Sequence, residues 1–324
     1  MKTIFFFTAL MSSHFFVSSP TGTITPGKAG CELGITINKT YSKSAALDSI
    51  LKHYTTNALP GAAVAIYSEA EGWWADAQGY SSIERKTPME NCHLQYIQSV
   101  SKSYMAVEIL QLKEQGKINF ENAITKYLPE RYSRYINEAE KVTVRMLLNH
   151  TSGIPEYNEN PAFLSQVMLH PLEFFTAEDC LKSIANEPLK FTPGSKYVYT
   201  NTNYLLLSLI ADSITGNHAA YIKEHIFKPL SLNNSYYGND HNYIDETNLP
   251  DTYWDVFNNG KPVNISKFQE ATVVSSKGDD GIVCTPTDAV KYLKGLMEGK
   301  LLKPESMKEM FDFVTDEKGR KRYG

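Results

Sequence analysis

From Ser99 onward the chain places Ser99, Lys102, Met105, Ala106, Ile109 and Leu110 on one side of a helix. That is the i, i+3, i+4, i+7 spacing of a buried stripe, and Gly116 follows as a stop signal. The pattern predicts a helix over 99–115. Residues 46–57, "ALDSILKHYTTN", carry helical spacing as well. Residues 59–82 are instead β-rich, an apolar run, a polar turn near 69–72 and a second strand-like piece, which predicts a hairpin. A short helix is expected within 141–157, with Thr143 as N-cap, Val144, Leu147 and Leu148 on one face, and Gly153 and Pro155 as stops. Residues 191–216 read as a Pro-Gly turn, an extended piece and an apolar helix ending at Gly216. Residues 278–300 read as a Gly-rich loop and a helix capped by Thr287. Helical patterns dominate after residue 99 and strands cluster before it. One hairpin does not make a sheet, so further strands are expected from segments without a clear period.

With 324 residues, 42% of them hydrophobic, the chain can bury a full core. Its net charge of −4 carries no block of like charges, so there is no electrostatic footprint for nucleic acid. The first residues, "MKTIFFFTALMSSHFFVSS", hold one lysine and then an apolar stretch too short to span a bilayer. They have the form of a secretory leader over 1–22, followed by a Gly/Thr/Pro-rich linker over 23–44 and a single domain over 45–324. Export to the periplasm or cell envelope is the expectation, with no lipid anchor at Cys31, which lies far beyond the apolar stretch. Cys31, Cys92, Cys180 and Cys284 form no C-x-x-C pair and no metal-ligand grouping. Cys92, Cys180 and Cys284 are expected as isolated buried thiols. No nucleotide-binding, zinc-hydrolase or G-x-S-x-G signature is present, and neither cofactor nor metal is called for.

A lysine on the apolar side of a helix is uncomfortable, because burying its charge costs several kcal/mol unless it is paired or neutralised. A snorkelling lysine at a helix end meets the same pattern. The alternative is nucleophilic catalysis. A serine hydroxyl needs a base to take its proton, and Lys102 lies one turn from Ser99 on the same face. Ser99 would also present its own N–H to a developing oxyanion at the positive end of the helix. Further along, Tyr199 and Asn201 flank Thr200 in an extended piece and so point to the same side. A phenol near an ammonium can shuttle a proton to a leaving group, and an Asn amide can hold both a substrate carbonyl and the lysine. A packed tyrosine and an Asn capping the next helix would fit the same residues.

The stretches "LPGAAVAI", "SVSKSYMAVEILQLKEQGKI", "KYLPE", "VTVRMLLNHTSGIP", "YTNTNYLLLSLI" and "GDDGIVCTPTDAVKYL" come in the order and spacing of the serine β-lactamase-like family. The chain resembles its class C β-lactamases, penicillin-recognising D-alanyl-D-alanine carboxypeptidases, esterases and D-aminopeptidases from about residue 45 onward. The resemblance implies an α/β fold with an antiparallel sheet flanked by helices, beside an all-helical subdomain. It implies Ser99 as acylated nucleophile, Lys102 as its base, and Tyr199 with Asn201 as the second catalytic element, acting on a small-molecule or peptide carbonyl without metal. It makes His150 a structural landmark. The family's third element, a Lys/His-x-Gly strand near the C-terminus, has no match. Arg322, Tyr323 and Gly324 read as a decoy, since their position suits the Tyr-Gly that opens the strand region before that element. The expectation is therefore a fragment of a longer protein, lacking its last strands and C-terminal helix. The rival is a non-catalytic peptide- or peptidoglycan-binding protein.

Overall fold

The computed structural model describes residues 33–237, 248–316 and 318–323. The expected leader, the first part of the linker and Cys31 lie outside the described residues. Helix α1 (Ser44–Asn57) leads into the hairpin of β1 (Gly61–Ser68) and β2 (Gly72–Ser82). These strands pair antiparallel from Gly61 opposite Gly79 to Ser68 opposite Gly72, with the turn where the polar residues predicted it. The short β3 (Thr87–Pro88) pairs with β2 and completes a three-stranded sheet. Trp74 of β2 packs with Leu51 of α1, which fixes that helix on the hairpin.

After β4 (Gln95–Tyr96) the chain is helical: α2 (Ser101–Glu114), α3 (Glu130–Ser133), α4 (Val144–Leu148), α5 (Pro161–Leu169), α6 (Ala177–Ser183), α7 (Asn201–Thr215) and α8 (His218–Ile222). There follow β5 (Ser235–Tyr237), the paired β6 (Tyr253–Trp254) and β7 (Val263–Asn264), α9 (Ser266–Ser275) and β8 (Ile282–Cys284). Then come α10 (Pro286–Met297), α11 (Pro304–Met310), and the antiparallel pair β9 (Val314–Thr315) and β10 (Lys321–Tyr323). The α/β architecture with a helical part between strands is the one expected. The missing strands are β4, β8 and β5, which form a second antiparallel sheet in that order. Each is only two or three residues long, too short for alternation to register as a signal.

The core differs from the expected stripe. Helix α2 buries Tyr104, Met105, Ala106, Val107, Ile109, Leu110 and Leu112, so it is enclosed on nearly every side rather than on one face. It lies in the middle of the fold although it is not apolar all round: Ser101, Lys102 and Glu108 are buried with these side chains. Here α2 packs on α7, whose Leu205, Leu206 and Leu207 are likewise buried. Tyr104 of α2 stacks on Tyr292 of α10 with ring centroids 3.5 Å apart. Each fully buried Leu or Ile contributes roughly 1.5–3 kcal/mol, which is what holds the two site-bearing helices in register.

Two local expectations are corrected. The N-cap of α10 is Thr285, whose hydroxyl accepts from the Asp288 N–H at 3.3 Å, while Thr287 lies inside the helix. Pro286 occupies the first helical position, where its fixed φ and missing N–H fit, and this sets the cap one residue earlier. Cys92 is disulfide-bonded rather than an isolated thiol. Cys180 and Cys284 are free and buried, as expected. Thr143 caps α4 by accepting from the Met146 N–H at 3.4 Å.

Candidate active site

Ser99 sits in a 3-10 turn, Gln98–Val100, between the β4 strand and α2. Gln98 holds a left-handed φ of 50°, which for a non-glycine residue costs on the order of 1–3 kcal/mol and persists only where neighbours enforce it. The enforcement is visible on both sides. Ile97 N–H donates to the Ile282 carbonyl at 3.2 Å, and Val100 N–H donates to the Ile97 carbonyl at 3.1 Å. Ser101 Oγ accepts from the Ile282 N–H at 3.1 Å, tying the helix start to β8. The result lifts Ser99 to the surface while Lys102, three residues on, is only 1% exposed.

Lys102 does not snorkel. Its Nζ donates to the Asp279 carbonyl at 2.6 Å, to Asn201 Oδ1 at 2.7 Å and to Ser99 Oγ at 3.1 Å. An ammonium has three donors and no acceptor, so three oxygens satisfy it fully. Were the amine neutral, the 3.1 Å contact to Ser99 could run the other way, with the serine hydroxyl donating. That is the geometry a base needs.

Asn201 is the first residue of α7 and does not cap it, because its Oδ1 is committed to Lys102. Its backbone N–H donates to the Glu156 carboxylate, an acid placed at the helix N-terminus where the dipole favours it. Burial raises the Glu156 carboxyl pKa against the pull of the Asn201 and Asn158 N–H groups.

Tyr199 arrives differently from the expectation. Its ring, rather than its hydroxyl, faces the lysine, with Lys102 Nζ 5.1 Å from the ring centroid. Among the described residues its hydroxyl makes no hydrogen bond to Ser99 or Lys102. The residue is 39% exposed.

His150 explains why the Tyr199 segment lies where it does. It is buried, in a left-handed backbone with φ of 59°. Its carbonyl accepts from Val198 N–H at 3.0 Å and its Nδ1 accepts from Thr200 N–H at 3.3 Å, so it clamps the chain on both sides of Tyr199. Asn203 Nδ2 lies 3.3 Å from the same Nδ1, which assigns the proton to Nε2. Burial, with the nearby Lys102 charge, pushes the imidazole down to about 3. It is a neutral support with no hydrogen bond to Ser99. Gly153 completes this corner: at φ of 78° its missing Cβ would lie 2.4 Å from the Phe191 carbonyl oxygen.

Several residues at this centre escaped sequence reasoning. Asp279 was seen only as part of a Gly-rich loop, yet its carbonyl is the shortest contact to Lys102. Its carboxylate accepts from the Tyr157 hydroxyl at 3.0 Å and, among the described residues, leaves Oδ1 unpartnered. Burial raises that carboxyl to about 7, and the neighbouring Asp280 to about 6. Two acidic residues between glycines in "GDDG" were the available signal. Tyr323, in the triplet read as a decoy, packs edge-on to His150 at 4.5 Å and lies 6.2 Å from the Tyr199 ring. Among the described residues, no three His, Cys, Asp or Glu side chains group to hold a metal ion.

A family model described as Beta-lactamase matches residues 47–323. Protein flp of Staphylococcus aureus (strain MW2) is 28% identical over 190 residues, covering 57% of this chain and 36% of that protein. Penicillin-binding protein 4* of Bacillus subtilis (strain 168) is 32% identical over 158 residues, covering 48% of this chain and 33% of that protein. The chain thus spans about a third of the length of the curated relatives it matches. A crystal structure of a D-stereospecific amidohydrolase from Streptomyces sp. superposes with a TM-score of 0.72 at 24% identity, over 84% of this chain and 78% of that one, a likeness of fold.

Proposed function

We propose that this chain, which belongs to the β-lactamase family, is a serine hydrolase working through an acyl-enzyme on Ser99. The observation that carries this is the buried Lys102 amine, held 3.1 Å from Ser99 Oγ by two further oxygen acceptors. In the neutral state that amine takes the hydroxyl proton as Ser99 Oγ bonds to the substrate carbonyl carbon. The oxyanion that forms is met by the Ser99 N–H at the positive end of the α2 dipole. Collapse breaks the carbonyl–leaving-group bond, and the proton passes from Lys102 to the departing atom, with the Tyr199 hydroxyl assisting. Water then attacks the acyl carbon, returns a proton through the same amine and frees Ser99. Asn201 orients the amine and offers its amide N–H groups to the substrate.

The substrate class is a peptide, lactam or ester carbonyl. D-Ala peptides and β-lactams are the leading members, because the chain is similar to a penicillin-binding protein and shares the fold of a D-stereospecific amidohydrolase. Export fits the apolar leader-like start, and the disulfide at Cys92 fits an oxidising compartment.

The test is intact mass spectrometry after exposure to a serine-reactive fluorophosphonate and, separately, to a fluorescent penicillin. One adduct is expected on the native protein and none on Ser99→Ala, with adduct formation slowed about 10²–10⁴-fold in Lys102→Ala. Saturable penicillin binding without any adduct would replace this reading with that of a non-catalytic binding protein.

A further inference from the structure

Helix α7 reaches the site at its first residue, Asn201, and carries Asp212 near its other end. Asp212 Oδ1 lies 2.7 Å from His218 Nδ1 and also accepts from the His218 N–H at 2.9 Å. His218 Nε2 lies 2.9 Å from the Tyr237 hydroxyl, and that hydroxyl accepts from the Gly278 N–H at 2.8 Å. With the imidazole neutral, one arrangement satisfies all four groups. Gly278 N–H donates to Tyr237, Tyr237 O–H donates to Nε2, and Nδ1–H donates to Asp212. His218 and Tyr237 are 1% and 4% exposed, while the Asp212 carboxylate is part-exposed. The next residue after Gly278 is Asp279, whose carbonyl holds Lys102 at 2.6 Å.

We infer that Asp212, His218 and Tyr237 form a strut that positions the Lys102 amine against Ser99 by fixing the loop of Gly278 and Asp279. The chain of contacts is closed: Asn201 and Asp279 grip the same Nζ, and the strut ties the Asp279 loop back to the helix that bears Asn201. Gly278 makes the loop lie flush on that helix. Its φ is 76°, and a Cβ there would meet the Tyr204 carbonyl oxygen at 2.4 Å and Ser208 Cβ at 2.7 Å. The loop therefore cannot retreat into α7, and the Tyr237 hydroxyl on its backbone, beside the Tyr157 hydroxyl on the Asp279 carboxylate, resists outward drift. Small displacements of a base cost rate steeply, because proton transfer needs hydrogen-bond reach. These three are positioning residues, and the assignment rests on the proposal that Lys102 is the base.

The experiment uses Tyr237→Phe in the full chain, since phenylalanine keeps the ring that meets His218 edge-on at 5.1 Å and removes only the hydroxyl. Single-turnover labelling by a fluorophosphonate over a concentration series gives a limiting rate, a half-saturating concentration and a final labelled fraction. Hydrogen exchange of the peptide covering 277–281 is followed in parallel. A limiting rate about tenfold lower, with half-saturation and labelled fraction unchanged and faster exchange in 277–281, is expected. Labelling as fast as in the native protein overturns the inference. So does a reduced labelled fraction at unchanged rate, which is the mark of a merely destabilised fold. If the native protein takes no label, the hydrolase proposal fails separately. Exchange then decides the strut alone: faster exchange confined to 277–281 supports it, and unchanged exchange overturns it.

Discussion

Lys102 Nζ lies 5.1 Å from the centroid of the Tyr199 ring, and that ring lies 4.4 Å from the ring of His150. A buried ammonium over an aromatic face is held by roughly 0.5–2 kcal/mol. Tyr199 therefore has two separable contributions: a ring that packs the site, and a hydroxyl not committed to Ser99 or Lys102.

The two separate by substitution. Tyr199→Phe keeps the ring on Lys102 and His150, so its melting temperature should stay within about 2 °C of the native value. Its turnover of an amide or ester with a poor leaving group should fall by about 10-fold or more. Tyr199→Ala should lose both activity and several degrees of melting temperature. Thermal melts alongside acylation kinetics check this, and full turnover by Tyr199→Phe would remove the hydroxyl from the mechanism.

The pH dependence of stability should carry two opposed slopes. His150 falls from an ordinary value of 6.5 to about 3, through burial and then the Lys102 charge. Its unfolded form binds a proton that its folded form refuses, so this contribution is complete above 6.5 and is lost as pH drops towards 3. Between pH 6.5 and 5 that loss is about 2 kcal/mol. Asp279 rises from 3.8 to about 7 because it is buried. Its folded form keeps a proton that the unfolded form releases, so its contribution is complete below 3.8 and is lost as pH rises through 7. Asp279→Asn should therefore gain on the native protein between pH 4 and pH 8, by up to roughly 4 kcal/mol. His150→Gln should flatten the acid side. Denaturant melts across that range decide it, and parallel curves for all three proteins would contradict both assignments.

The cap of α10 offers a local check. Thr285→Ala removes the acceptor for the Asp288 N–H and should lower stability by about 1 kcal/mol. Thr287 Oγ1 is buried and has no partner among the described residues. Replacing it with valine, which has the same shape and no hydroxyl, should be neutral or mildly stabilising. A loss at Thr287 with none at Thr285 would make Thr287 the cap.

Much of the fold was legible because it rests on interactions within a few residues. The Ser99 and Lys102 spacing is one helical turn, the 61–82 hairpin is two β-rich runs around a polar turn, Thr143 caps its own helix, and Gly216 ends α7 at a φ of 83°. The strands β4, β5 and β8 were not legible, since two or three residues carry no period and their pairing joins segments far apart in the chain. The full burial of α2 was hidden for a related reason: a helix surface reveals its polarity, but what covers it comes from α7 and α10.

The sequence by itself determined which chemistry is possible, because a serine one turn before a lysine places a hydroxyl beside an amine wherever that helix forms. Only the tertiary structure decided how that amine is held. Its acceptors are an amide from the head of α7 and a carbonyl 177 residues away, and Tyr199 meets it ring-first because His150 clamps the chain on either side. Residue types and spacing act locally along the chain, whereas the direction a side chain faces and the carbonyl it meets are set by which distant segments pack together.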